Sequence, residues 1–183
     1  MPRFVAFLRA INVGGHTVKM DRLRVAFEEL GLTRVETFIA SGNVVFDATA
    51  RTTPTLESRI EAHLQETFGF AVDTFVRSPG ELSLVAECRP FADFVAGGRA
   101  DSLYVAFLRA APTAAACRAV AALRSEVDEL EVDGREIYWK RRGGLSARGV
   151  SGALLEKIAG RATIRNVTTV RKLAAKLVTP SKN

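Results

Sequence analysis

The chain opens on a run that is apolar on both faces. In the two-residue period of a strand, Phe4, Ala6 and Leu8 point one way and Val5 and Phe7 the other. Met20, Leu23, Phe27 and Leu30 then fall at helical spacing, with Gly31 placed to end that helix. Residues 35–40 and 43–47 read as two strands joined at Ser41-Gly42. Thr53-Pro54 predicts the next helix start, a cap residue followed by proline. Leu56, Ile60, Leu64 and Phe68 form its stripe, Gly69 stops it, and residues 71–77 make a further strand. The order is β-α-β-β-α-β, a split-βαβ or ferredoxin-like unit.

That unit comes back. Phe4-Val5-Ala6-Phe7-Leu8-Arg9-Ala10 returns as Tyr104-Val105-Ala106-Phe107-Leu108-Arg109-Ala110, six of seven residues identical at an offset of 100. So long an offset indicates domain duplication rather than a solenoid period. Between the copies, Ser78-Pro79-Gly80-Glu81 has capping-box spacing and predicts a short helix, and Pro90, Gly97 and Gly98 mark a linker. The second copy predicts a helix over 113–127 and a hairpin of 129–133 with 136–141, turning at Asp133-Gly134. An extended piece over 162–165 then lies between helices near 151–159 and 168–178. The expected architecture is α+β: two tandem ferredoxin-like (α/β-plait) domains, 1–77 and 102–183, with a connecting helix and linker over 78–101. A sheet of this kind carries helices on one face only, so the apolar second faces need another cover. We expect the two sheets to pack face to face; an interface or a ligand is the alternative.

Composition, 48% hydrophobic and 25% charged, is that of a packed globular chain. No apolar run approaches the roughly 20 residues that span a bilayer, and the start lacks a secretory cleavage region. Cys88 and Cys117 are isolated and read as buried or idle thiols, which fits a reducing cytoplasm. With only His16 and His63 beside them, no metal site is expected, and no cofactor is implied. Charge does change the picture. Residues 1–134 hold 14 Lys/Arg against 18 Asp/Glu, whereas 135–183 hold 12 against 2. Such asymmetry suggests an anionic partner for the C-terminal third, or a basic surface that balances the acidic part.

Four segments could carry chemistry. Asn12-Val13-Gly14-Gly15-His16 follows a strand and precedes a helix, as phosphate-cradling loops do, with Arg9 and Lys19 nearby. It matches neither glycine-rich nucleotide pattern, and a tight strand-to-helix turn needing glycine backbone angles is the better reading. Ser41-Gly42-Asn43 offers a hydroxyl and an amide at a hairpin tip, without a nucleophile elbow or a triad. Tyr138 and Trp139 among Lys140, Arg141 and Arg142 suit stacking on bases, or else one ring is core and the other half-exposed. Arg165-Asn166-Val167-Thr168-Thr169 places an arginine beside a helix start, where unpaired N–H groups and the dipole favour anions; a plain cap is the alternative.

Arg9-Ala10-Ile11-Asn12-Val13-Gly14-Gly15, Lys19-Met20 and Ser41-Gly42-Asn43-Val44-Val45-Phe46 resemble a bacterial family defined only as domain of unknown function 1697. The likeness extends to Ser151-Gly152 and to the run from Thr163 to Leu173. The resemblance implies two α/β-plait domains and no established activity. It also implies a tryptophan after the Arg-Asn pair, where this chain has Val167; if that aromatic stacks on a ligand, the contact is lost here.

Two functions stay open. One is a binding module for a phosphorylated or nucleic-acid partner, with no membrane role, using the basic C-terminal third. The other is an enzyme acting on a small anionic metabolite in a cleft between the domains. The anion-binding residues expected are Arg165, Asn166, Thr168, Thr169, Arg9, Asn12, Gly14, Gly15, Ser41 and Asn43.

Overall fold

A strand with no polar face has to lie inside its sheet, and β1 (Arg3–Leu8) does: all six of its residues are buried. The computed structural model describes residues 1–9, 11–12, 17–39, 42–49, 52–92, 94, 101–143 and 149–178. After β1 come α1 (Met20–Glu29), β2 (Thr33–Thr37), β3 (Asn43–Asp47), α2 (Thr53–Phe68) and β4 (Thr74–Arg77). They form a sheet of order β2-β3-β1-β4 in which every neighbouring pair is antiparallel. A short helix, α3 (Pro79–Glu87), follows. Then come β5 (Asp101–Leu108), α4 (Ala114–Ala121), β6 (Asp128–Asp133), β7 (Glu136–Arg142), α5 (Gly152–Ala159), β8 (Ala162–Asn166) and α6 (Val167–Val178). The second sheet has the order β6-β7-β5-β8, again antiparallel throughout. The chain divides into two units, Met1–Ser83 with the stretch from Leu173 onward, and Leu84–Lys172.

In the first unit Phe4, Ala6 and Leu8 join Leu23, Phe27, Leu56, Ile60 and Leu64 in a core against the helices. Phe27 meets Phe46 edge-on at 5.5 Å. Val5 and Phe7, on the opposite face, are buried as well. The second unit repeats this: Ala106 and Leu108 pack with Val120, Leu130, Ile137, Trp139 and Leu155, and Val105 and Phe107 are buried opposite them. The repeated heptapeptide therefore supplies the same inner strand twice. Even the exit matches, because Leu8 N donates to Gly42 O and Leu108 N to Arg135 O.

Edge strands leave amides unpaired, and both units answer with carboxylates from a helix. Glu57 and Glu61 of α2 accept from Val76 N and Thr74 N of β4, each at 2.8 Å. Glu156 of α5 accepts from Ala162 N of β8 at 3.1 Å.

Local signals hold at most helix starts. Ser78 and Glu81 form the capping box, and Thr113 and Ser151 cap α4 and α5 through their hydroxyls. The cap of α2 is Thr52, one residue earlier than the sequence suggests. The hairpin turns at Gly134 with φ 57°. Helix α4 stops at Ala121, short of the expected residue 127. Beyond it the chain tightens into three-residue turns, and Ser125 Oγ accepts from Val127 N and Asp128 N, drawing the backbone away from the helix.

Trp139 and Tyr138 are both buried, so neither ring is half-exposed and neither can stack on a base. Trp139 Nε1 donates to Asp128 Oδ1 at 2.7 Å, and Val150 N donates to Asp128 Oδ2 at 2.8 Å. Arg141 closes the group: its Nη1 donates to Val150 O at 2.8 Å, and its guanidinium lies 5.2 Å over the Trp139 ring. Gly149 completes it, since a Cβ there would run into the Asp128 carboxylate and lie 2.7 Å from Arg141 Nη2.

Two stability outcomes are expected. Phe7→Ala should cost about 3–5 kcal/mol in urea denaturation, as a large-to-small change in a packed core; a loss under about 1 kcal/mol would mean its face is not packed. Gly149→Ala should cost about 1–3 kcal/mol by overpacking and shift the emission of Trp139, the single tryptophan.

Candidate functional site

The motif residues of the first unit meet at one end of β1. Leu8 N donates to Gly42 O at 2.7 Å, and Arg9 N to Asp73 O at 2.9 Å. Gly42 has φ 71°, and a Cβ on it would lie 3.1 Å from Leu8 O and 3.5 Å from Ile11 Cβ. Only glycine lets the hairpin tip come so near the loop. Asn12, at φ 58°, accepts from Val18 N at 2.8 Å. Asn43 is buried and donates from Nδ2 to Phe38 O at 3.0 Å. Arg9 pairs with Asp73 at 3.3 Å. These contacts shape turns. Gly14, Gly15 and Ser41 lie outside the described residues. A groove of about 190 Å³ between α1 and α2, lined by Asp21, Arg22, Val25, Ala26, Glu29 and Thr67, contains none of the residues picked from the sequence.

The basic third is more neutralised than its composition suggests. Lys140 pairs with Glu129, Arg141 with Asp128, Arg142 with Asp101, and Lys176 with Glu36. All four carboxylates come from the acidic first part of the chain. Lys176, followed by Arg3, holds the Glu36 carboxyl below the usual carboxylate range. Lys140 is buried, lying over the Phe91 ring at 5.4 Å.

The cations beside the start of α6 are arranged differently. Asn166 Oδ1 accepts from Thr168 N at 2.8 Å, so Asn166 is the helix cap and occupies one of the free amides. Thr168 is exposed and Thr169 half-buried. Arg165 folds back along β8, donating from Nη1 to Thr163 Oγ1 at 2.8 Å and Ile164 O at 2.9 Å. Burial lowers its guanidinium to about 10. Arg171, one turn into the helix, donates from Nε to Ala86 O at 3.4 Å, where Arg89 also arrives. The reading of the sequence missed Arg89, which no motif marks, and Asp128, which looks like any acid at a strand start.

The model of a family described as a protein of unknown function (DUF1697) matches residues 1–138. The chain belongs to this family. The match takes in Arg9 to Asn12 and Ser41 to Asn43, whereas the start of α6 lies past its end. Among solved structures, the conserved bacterial protein SP0830 from Streptococcus pneumoniae is similar, with 23% identity over 98% of this chain and 99% of that one and a TM-score of 0.74. At that identity the likeness is one of fold. No curated protein matches. Within the family fold, no helix among the described residues is long and apolar enough to cross a membrane. Nor do the described residues gather three His, Cys, Asp or Glu side chains fit to hold a metal ion.

Asn166→Ala should lower stability by about 1 kcal/mol, the usual worth of such a cap. Thermal denaturation followed by circular dichroism measures it, and an unchanged midpoint would mean that α6 starts without help from Asn166.

Proposed function

We propose that this protein is a binding module for a phosphorylated or nucleic-acid partner, taken on the basic C-terminal third at the start of α6. The observation that carries this reading is Arg165, a half-buried guanidinium held against β8 by Thr163 Oγ1 and Ile164 O beside a helix N-terminus. A cation removed from water gains most from an anion brought to it, and the helix dipole adds to that attraction. Thr168 offers its hydroxyl and Thr169 its hydroxyl and amide in the first turn, the Thr168 amide being held by Asn166. We read each strand order as ferredoxin-like, with tandem domains 1–77 and 102–183 about the connecting segment 78–101. Some folds of this type read bases by stacking them on the open sheet. Here Phe7, Phe107, Tyr138 and Trp139 are buried, so the support is for phosphate contacts rather than base readout.

Calorimetric titration with phosphate, nucleotides and short single-stranded RNA tests it. Affinity for RNA should fall with salt at a slope of roughly −0.7 per phosphate neutralised. Arg165→Lys should weaken binding about tenfold, a charged fork bond being worth about 1.5–3 kcal/mol, with the melting point nearly unchanged. Equal affinity in both proteins, or none in either, would leave only a helix cap.

A further inference from the structure

Two arginines far apart in sequence converge on the C-terminal end of α3. Arg89 donates from Nη1 to Ala86 O and to Cys88 O, each at 2.9 Å, and Arg171 donates from Nε to the same Ala86 O at 3.4 Å. Arg171 is half-buried and Arg89 exposed, and all of these atoms belong to the second unit. One cation at a helix C-terminus is readily explained, because the carbonyls and the dipole attract it. A second on the same carbonyl is not, because the two charges repel. Burial first, and then the charge of Arg89, lower the Arg171 guanidinium. Neither arginine forms an ion pair with a described residue, and the three bonds above engage only Arg89 Nη1 and Arg171 Nε. Each guanidinium has five N–H donors in a planar fork. Both Nη groups of Arg171, and Nε and Nη2 of Arg89, therefore meet no acceptor among the described residues.

We propose that Arg89 and Arg171 form a binding site for a doubly charged phosphate group, as found on a phosphate monoester. A dianion set against the pair offsets both charges and removes their repulsion. Its three terminal oxygens are enough to take a two-pronged bond from each guanidinium, whereas a carboxylate has one charge and two oxygens. The site is separate from the one at Arg165 in its residues and in its test. It also draws on Arg89, which lies outside the basic third.

The test is calorimetric titration of the full chain with inorganic phosphate, glucose 6-phosphate and a phosphoserine peptide, with acetate as the monoanion control. Wild type should bind phosphate or one of the two monoesters at least tenfold more tightly than acetate. Whichever of the three binds best identifies whether the group arrives free, on a small molecule or on a protein. Arg171→Lys and Arg89→Lys keep the charge and the helix-end contact but lose the fork, so each should weaken that binding about tenfold with an unchanged melting point. Arg171→Gln should abolish it. Arg165→Lys should leave it intact. Wild-type affinity in both lysine variants, or no preference for phosphate over acetate in wild type, would overturn the proposal. Loss in Arg165→Lys with none in the pair variants would sink the pair while sparing the Arg165 reading.

Discussion

The inner strand of each sheet has no face it can show to water. Phe4, Ala6 and Leu8 go to the helices, and Val5 and Phe7 are buried on the other side. Phe107 and Val105 repeat the arrangement. Burying a large apolar side chain contributes about 1.5–3 kcal/mol, so a strand apolar on both faces drives cover onto both. Helices supply one layer in each unit. Because the strand is central, its position also sets the order of its neighbours. β3 and β4 flank β1, and β7 and β8 flank β5, so the same run dictates the same sheet twice.

The sheet edges of the two units are protected in the same way. Glu57 and Glu61 of α2 take the outward amides of β4, and Glu156 of α5 takes one of β8. The carboxylates do not sit at matching places in any motif. What has been kept is a solution to one problem, an amide row that would otherwise invite another strand.

Charge follows a related logic. The acidic first part and the basic last part of the chain are partners to a large extent, as the pairs at Lys140, Arg141, Arg142 and Lys176 demonstrate. Asp128 is the most deeply set of these acids, and it organises Trp139, Val150 and Arg141 around its two oxygens. A buried carboxylate stays charged only with such company. Among the described residues, these four pairs tie basic side chains of the last part of the chain to acids of the first part.

The sequence by itself determined what depends on near neighbours and on period: the heptapeptide repeat, the two-faced strands, the hairpin at Gly134 and the capping box at Ser78. Each rests on a few consecutive residues whose side chains meet their own backbone. Loop chemistry was legible in the same way: Asn12 accepts from Val18 N, Asn43 donates to Phe38 O, and Gly42 lies close to Leu8. Only the tertiary structure decided where α4 stops, that both Tyr138 and Trp139 are buried, and which acids neutralise the basic third. It alone set Arg89 beside Arg171. Those outcomes join residues separated by up to 140 positions, as Glu36 and Lys176 are. No local pattern encodes such a meeting, because it is fixed by how sheets and helices fill space together.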